Sequence, residues 1–147
     1  MIPIDRPITV LIHADPGLAR DSLCSLIASF PYAKIVGVLS LDSELAEEVN
    51  DLLPDVVLMD YVTGTGNIEL IPALKAVHPD SRFVVVTETM KQKQCAYQYG
   101  ADDVLLRGCT GQEFTAVFQK YFQHSQAYAA TGTASEVNVR EVSNESR

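Results

Sequence analysis

The chain has 147 residues, 47% of them hydrophobic and 20% charged, which suits one compact domain and leaves little room for a second. Its 19 acidic and 11 basic side chains give a net charge of −8, which argues against direct nucleic acid binding through the phosphate backbone. No apolar run approaches the roughly 20 residues that cross a bilayer, and Met1 to Pro7 lacks the basic start and apolar stretch of a secretory signal. No membrane contact and a cytoplasmic location are therefore expected. Cys24, Cys95 and Cys109 form no CxxC pair, which speaks against both a disulfide framework and a structural zinc site.

In chain order, the first apolar run, Ile8 to His13, is continuous and not alternating, the pattern of a strand buried on both faces. Ala19, Leu23, Leu26, Ile27 and Phe30 follow it with the helical period. A second run at Ile35 to Leu39 leads into a helix carrying Leu45, Ala46, Val49, Leu52 and Leu53. The third run, Val56 to Met59, precedes a helix with Ile71, Leu74 and Val77; Pro72 must lie near its start, because further in it would remove a backbone bond. Phe83 to Val86 is the fourth run, and the helix after it, Met90 to Tyr99, is thinly apolar and carries Lys91 and Lys93. A weaker fifth run, Val104 to Leu106, comes before Thr110-Gly-Gln-Glu113, a capping box, and then Phe114, Val117, Phe118, Tyr121 and Phe122 at spacings of three and four. Strands alternating with helices predict an α/β domain with a parallel sheet and helices on both faces. Beyond about His124 the composition turns to Ser, Thr, Ala, Asn and Glu, too few apolar groups to offset the entropy of ordering. Residues 1–124 are accordingly read as the folded domain and 125–147 as a flexible tail. The last helix is expected to run a turn or two further, to about Tyr128, before Gly132 ends it.

In a doubly wound sheet, ligands bind beyond the carboxyl ends of the strands, where the strand order reverses. The residues ending these strands are polar: His13-Ala14-Asp15, Asp60, Thr87-Glu88 and Arg107. Two carboxylates, a hydroxyl and a guanidinium would converge on one rim. Each has a plainer reading. Asp15 before Pro16 has the form of a helix N-cap, Thr87 could cap the helix after it, and Asp60 could end in a solvent loop. Arg107 could pair on the surface with Asp102 or Asp103. His13 reads as a packed side chain and not a ligand, and Cys109, without a base partner, as an ordinary thiol.

Taken together, Val10-Leu-Ile-His-Ala-Asp15, Pro54-Asp-Val-Val-Leu-Met-Asp60, Val84-Val-Val-Thr87 and Gly100-Ala-Asp-Asp-Val-Leu-Leu-Arg107 resemble, in order and spacing, the receiver domain of two-component response regulators over about Ile8 to Phe122. The resemblance implies a doubly wound five-stranded sheet in the flavodoxin-like order 2-1-3-4-5. It also implies phosphorelay signal transduction, in which a histidine kinase or phosphotransfer protein donates a phosphoryl group to Asp60. Mg²⁺ would be held by Asp15, Asp60 and the backbone carbonyl of Val62. Thr87 would donate a hydrogen bond to the phosphoryl group, and Arg107 would supply positive charge. Such a domain is not an enzyme on outside substrates; at most it catalyses its own phosphorylation and dephosphorylation. Its output would pass to a downstream protein, or to a homodimer, through the surface of the fourth helix, fifth strand and last helix.

Four positions and one loop depart from the family pattern, the loop after Asp60 reading Tyr-Val-Thr-Gly-Thr-Gly-Asn67 instead of the usual Met-Pro segment. Ala14 replaces the first of two adjacent acids, which weakens the expected Mg²⁺ site. Arg107 replaces lysine, keeping the charge in a larger planar fork. Val104 stands where an aromatic ring is common, and Glu88 replaces a small residue beside the hydroxyl. These departures define the alternative: a pseudo-receiver that keeps the fold as a phosphorylation-independent binding or dimerisation module.

Overall fold

The computed structural model describes residues 6–61 and 67–131. Its elements are β1 (Ile8–His13), α1 (Leu18–Ala28), β2 (Ala33–Leu39), α2 (Asp42–Leu52), β3 (Val56–Asp60), a 3₁₀ turn (Asn67–Leu70), α3 (Ile71–Val77), β4 (Arg82–Thr87), α4 (Met90–Gln98), β5 (Asp103–Leu106) and α5 (Gly111–Thr131). The strands form one sheet in the order β2-β1-β3-β4-β5, and every neighbouring pair is parallel.

Successive side chains on a strand point to opposite faces, so the continuous apolar runs feed two cores. Val10, Ile12, Leu58, Val84 and Val86 pack against Leu23 and Ile27 of α1 and Phe114 and Phe118 of α5. Leu11, Val57, Met59, Phe83 and Val85 pack against Leu45 and Val49 of α2, Ile71 and Leu74 of α3, and Ala96 of α4. Phe83 and Phe118 are completely buried, and truncating either to alanine would cost about 3–5 kcal/mol.

Local signals end the elements where the sequence suggests. Thr110 Oγ1 accepts from Glu113 N at 3.1 Å while Glu113 Oε1 accepts from Thr110 N at 3.2 Å, closing the capping box of α5. Pro72 lies in the first turn of α3, where its missing N–H costs nothing. α5 runs through Ser125 to Thr131, past the boundary placed after residue 124. Gln126 Nε2 donates to Arg6 O at 2.9 Å, tying the extension to the segment leading into β1. The rest of the expected tail, 132–147, lies outside the described residues. One irregularity had no clear local signal: the β1–β2 register shifts between Val10 and Leu11. Gly37 sits at that shift, where a Cβ would stand 2.9 Å from Leu11 Cδ1.

Candidate functional site

β2 lies on one side of β1 and β3 on the other, so the strand order reverses between the carboxyl ends of β1 and β3. Register then lines up the rim. His13 is opposite Met59, Asp60 opposite Val86, and Thr87 opposite Leu106. Backbone bonds carry the ladder just past the strands, from Ala14 N to Leu39 O at 2.9 Å, Tyr61 N to Val86 O at 2.9 Å, and Arg107 N to Thr87 O at 2.6 Å. Ala14, Asp60, Thr87 and Arg107 thus occupy neighbouring positions on one edge.

Asp60 is the last residue of β3 and only 6% exposed. The Arg107 guanidinium reaches it, with Nη2 donating to Asp60 Oδ1. Gly108, at φ 90°, turns the chain directly after Arg107, a backbone conformation glycine adopts freely. Burial pushes the Asp60 carboxyl above the usual carboxylate range; Arg107 pulls it back, and the charges of Glu88 and Asp15 push it up again. Glu88, with its side chain 63% exposed, also lies 3.5 Å from Arg107 Nε. One guanidinium therefore bridges two carboxylates, and the Glu88 charge is turned towards Arg107.

Several plainer readings are excluded. Asp15 is not an N-cap: α1 begins at Leu18 behind Gly17, with no side-chain cap, because Pro16 and Gly17 set the start two residues later. The cap of α4 is Thr89, whose Oγ1 accepts from Gln92 N at 3.1 Å. Thr87 is instead completely buried, and its Oγ1 has no hydrogen-bond partner among the described residues. Asp102 and Asp103 are taken by others: Asp102 accepts from Lys75 Nζ and Phe83 N, both at 2.8 Å, and Asp103 accepts from Lys120 Nζ at 2.7 Å and from the Tyr121 hydroxyl. Arg107 is left to the rim. Burial and the charge of Glu113 push the Cys109 thiol up, which disfavours its thiolate.

A cleft of about 300 Å³ opens beside Asp60, lined among others by His13, Ala14, Asp15, Asp42 and Asn67. Asn67, at the start of the 3₁₀ turn, is 2% exposed; its Nδ2 donates to Asp60 O at 3.0 Å, and its Oδ1 has no partner among the described residues. His13 is buried, with Nε2 2.9 Å from Asp42 Oδ1. Neither Asn67 nor Asp42 stands out in the sequence. Each sits in an ordinary loop or helix start, and only the folded chain carries it to the cleft.

No family model matches the chain. Among solved structures it superimposes on a two-component response regulator of the LuxR family from Aurantimonas sp. with a TM-score of 0.71, at 18% identity over 80% of this chain and 86% of that one. The response regulator domain of Thermotoga maritima CheB gives a TM-score of 0.64 at 22% identity, over 80% of this chain and 98% of that one. The chain has the receiver fold of response regulators. In sequence, 112 residues are 28% identical to the sensory transduction protein LytT of Enterococcus faecalis, covering 76% of this chain and 46% of LytT. The receiver fold here thus spans less than half of that relative.

The resemblance implies Mg²⁺, and the residues present fit such an ion. Mg²⁺ takes hard oxygen ligands, keeps several waters and is commonly bound through one or two carboxylates. Asp15 and Asp60 face the same cleft, and Asn67 adds a buried oxygen without a donor. Among the described residues no three His, Cys, Asp or Glu side chains gather as a metal cluster. The Val62 carbonyl lies outside the described residues. No helix among them is long and apolar enough to cross a membrane.

Proposed function

We propose that this receiver accepts a phosphoryl group on Asp60 from a phosphohistidine of a histidine kinase or phosphotransfer protein, and so acts in phosphorelay signal transduction. The observation that carries this reading is Asp60 itself: a buried carboxylate ending a central strand, gripped by a guanidinium, with the free hydroxyl of Thr87 on the next strand. In a solvated loop such a group would have no reason to be assembled from the ends of three separate strands.

The chemistry is a displacement at phosphorus. The Asp60 oxygen that Arg107 does not hold attacks; the phosphorus–nitrogen bond breaks, and the imidazole leaves with the bonding electron pair. The product is an aspartyl phosphate. Such a transfer depends mainly on in-line positioning and charge neutralisation. Asn67 and the β3–β4 ladder fix the Asp60 backbone; in this reading Thr87 Oγ1 would donate to a phosphoryl oxygen, and Arg107 would turn from the carboxylate to the added negative charge. Mg²⁺ bound by Asp15 and Asp60 would supply further charge neutralisation and orient the phosphoryl oxygens.

The surface of α4, β5 and α5 is the proposed route to a downstream protein or a second copy. Met90 and Tyr97 of α4 are exposed there, at 57% and 44%. Intact mass after treatment with a small acyl phosphate and Mg²⁺ tests the reading. One added phosphoryl group is expected, absent in Asp60→Asn. An unchanged mass in the wild-type chain would reject phosphoacceptance and leave the pseudo-receiver, a phosphorylation-independent binding or dimerisation module.

A further inference from the structure

We propose that Asn67 anchors the cation at the acceptor site through a cation-bound water, filling the role left vacant at Ala14. This rests on the Mg²⁺ reading above and adds a residue to it.

Ala14 cannot be bypassed by a small rearrangement. It is 2% exposed, packs into the α1–α5 core, and its N–H is committed to Leu39 O. The position offers a methyl group where an outer oxygen is needed. Asn67 offers that oxygen from the opposite loop.

Its orientation is fixed by chemistry. Asp60 O can only accept a hydrogen bond, so the amide group 3.0 Å away must present its NH₂. Oδ1 consequently faces away from Asp60 O. It is buried, it lacks a donor among the described residues, and Asn67 lines the same cleft as Asp15 and Asp60. Buried carbonyl oxygens are rarely left without a partner, and a cleft lined by carboxylates admits water. Water on a divalent cation is a strong donor to such an oxygen. An amide also adds no negative charge to a cleft already lined by Asp15, Asp42 and Asp60. Asn67 is held rigidly, since Ile68 and Ile71 just after it are 1% and 0% exposed.

The test is calorimetric titration of the full chain with MgCl₂, with melting curves in the presence and absence of Mg²⁺. The wild-type chain should bind Mg²⁺, and Asp15→Asn should bind it more weakly. Asn67→Ala should lose about tenfold in affinity, the lower end of what outer-shell groups contribute. Asn67→Asp gives up the bond to Asp60 O but keeps an oxygen; it should melt lower without Mg²⁺ and yet bind Mg²⁺ more tightly than the wild-type chain. A merely structural Asn67 would lower the metal-free melting temperature of Asn67→Ala and leave its Mg²⁺ affinity at the wild-type value, which overturns the proposal. Should Asn67→Ala not fold, the neutral Asn67→Ser is read in its place: weaker Mg²⁺ binding supports the anchor, and binding at the wild-type value rejects it. If the wild-type chain takes up no Mg²⁺, the metal reading itself fails and the anchor falls with it. Wild-type binding with an unaltered Asn67→Ala rejects the anchor only.

Discussion

Arg107→Ala removes the counter-charge from a carboxylate that is already held against its preference. Two unit charges about 4 Å apart interact by about 4 kcal/mol at an effective dielectric of 20. That is an upper bound here, because the Arg107 side chain is 36% exposed and partly solvated whereas that of Asp60 is only 7% exposed. Exposed pairs contribute about 0–1 kcal/mol, and breaking a fully buried pair costs about 3–5 kcal/mol, so this half-buried pair should lie near 1–3 kcal/mol. For a domain of this size the loss corresponds to a fall in melting temperature of about 3–12 °C at pH 7.5. The sign with pH follows from the direction of the Asp60 shift. Its folded-state pKa lies above the ordinary value, and losing Arg107 raises it further. The penalty of the variant is therefore complete above its own raised pKa and fades as pH falls through that value, where Asp60 takes up a proton. Thermal melts of the four members of the Asp60→Asn and Arg107→Ala cycle, at pH 7.5 and in mild acid, measure this. In the Asp60→Asn background, Arg107→Ala should cost little. An equal fall in both backgrounds, or the same fall at both pH values, would show that Arg107 stabilises through packing and not through the Asp60 charge.

Asp60→Asn alone should raise the melting temperature at pH 7.5, since the ionised form is the disfavoured one in the fold; the gain should disappear in acid below the usual carboxylate range, where both proteins are neutral at this position. Thr87→Val keeps the shape and deletes a buried hydroxyl that lacks a partner, so melting should hold steady or rise, by about 0–1 kcal/mol in stability, while labelling by an acyl phosphate slows at least about tenfold. A melt that collapses would mean the hydroxyl has a structural partner. Thr110→Ala opens the capping box of α5 and should cost about 1 kcal/mol in a denaturant titration, with no change in Mg²⁺ affinity.

Much of this molecule was legible in the sequence because the signals are local. Continuous apolar runs mark strands buried on both faces, helical periods mark their covers, and Thr110 to Glu113 announces the start of α5. The polar residues ending the runs marked the rim, since a parallel sheet places all its carboxyl ends along one edge. Which of those residues work together could not be read there. Asp15 has the form of a cap, and only the helix start at Leu18 removes that role. Arg107 had two acids within a few residues, and it is the claims of Lys75, Phe83, Lys120 and Tyr121 on those acids that free it for Asp60. Asn67 and Asp42 carried no pattern at all. Hydrogen bonds and charge pairs act over a few ångströms whatever the separation along the chain. The sequence by itself determined the strands, the helices and the edge on which chemistry could occur; the tertiary structure decided the partners, because close approach is set by strand order and register, which bring distant residues together.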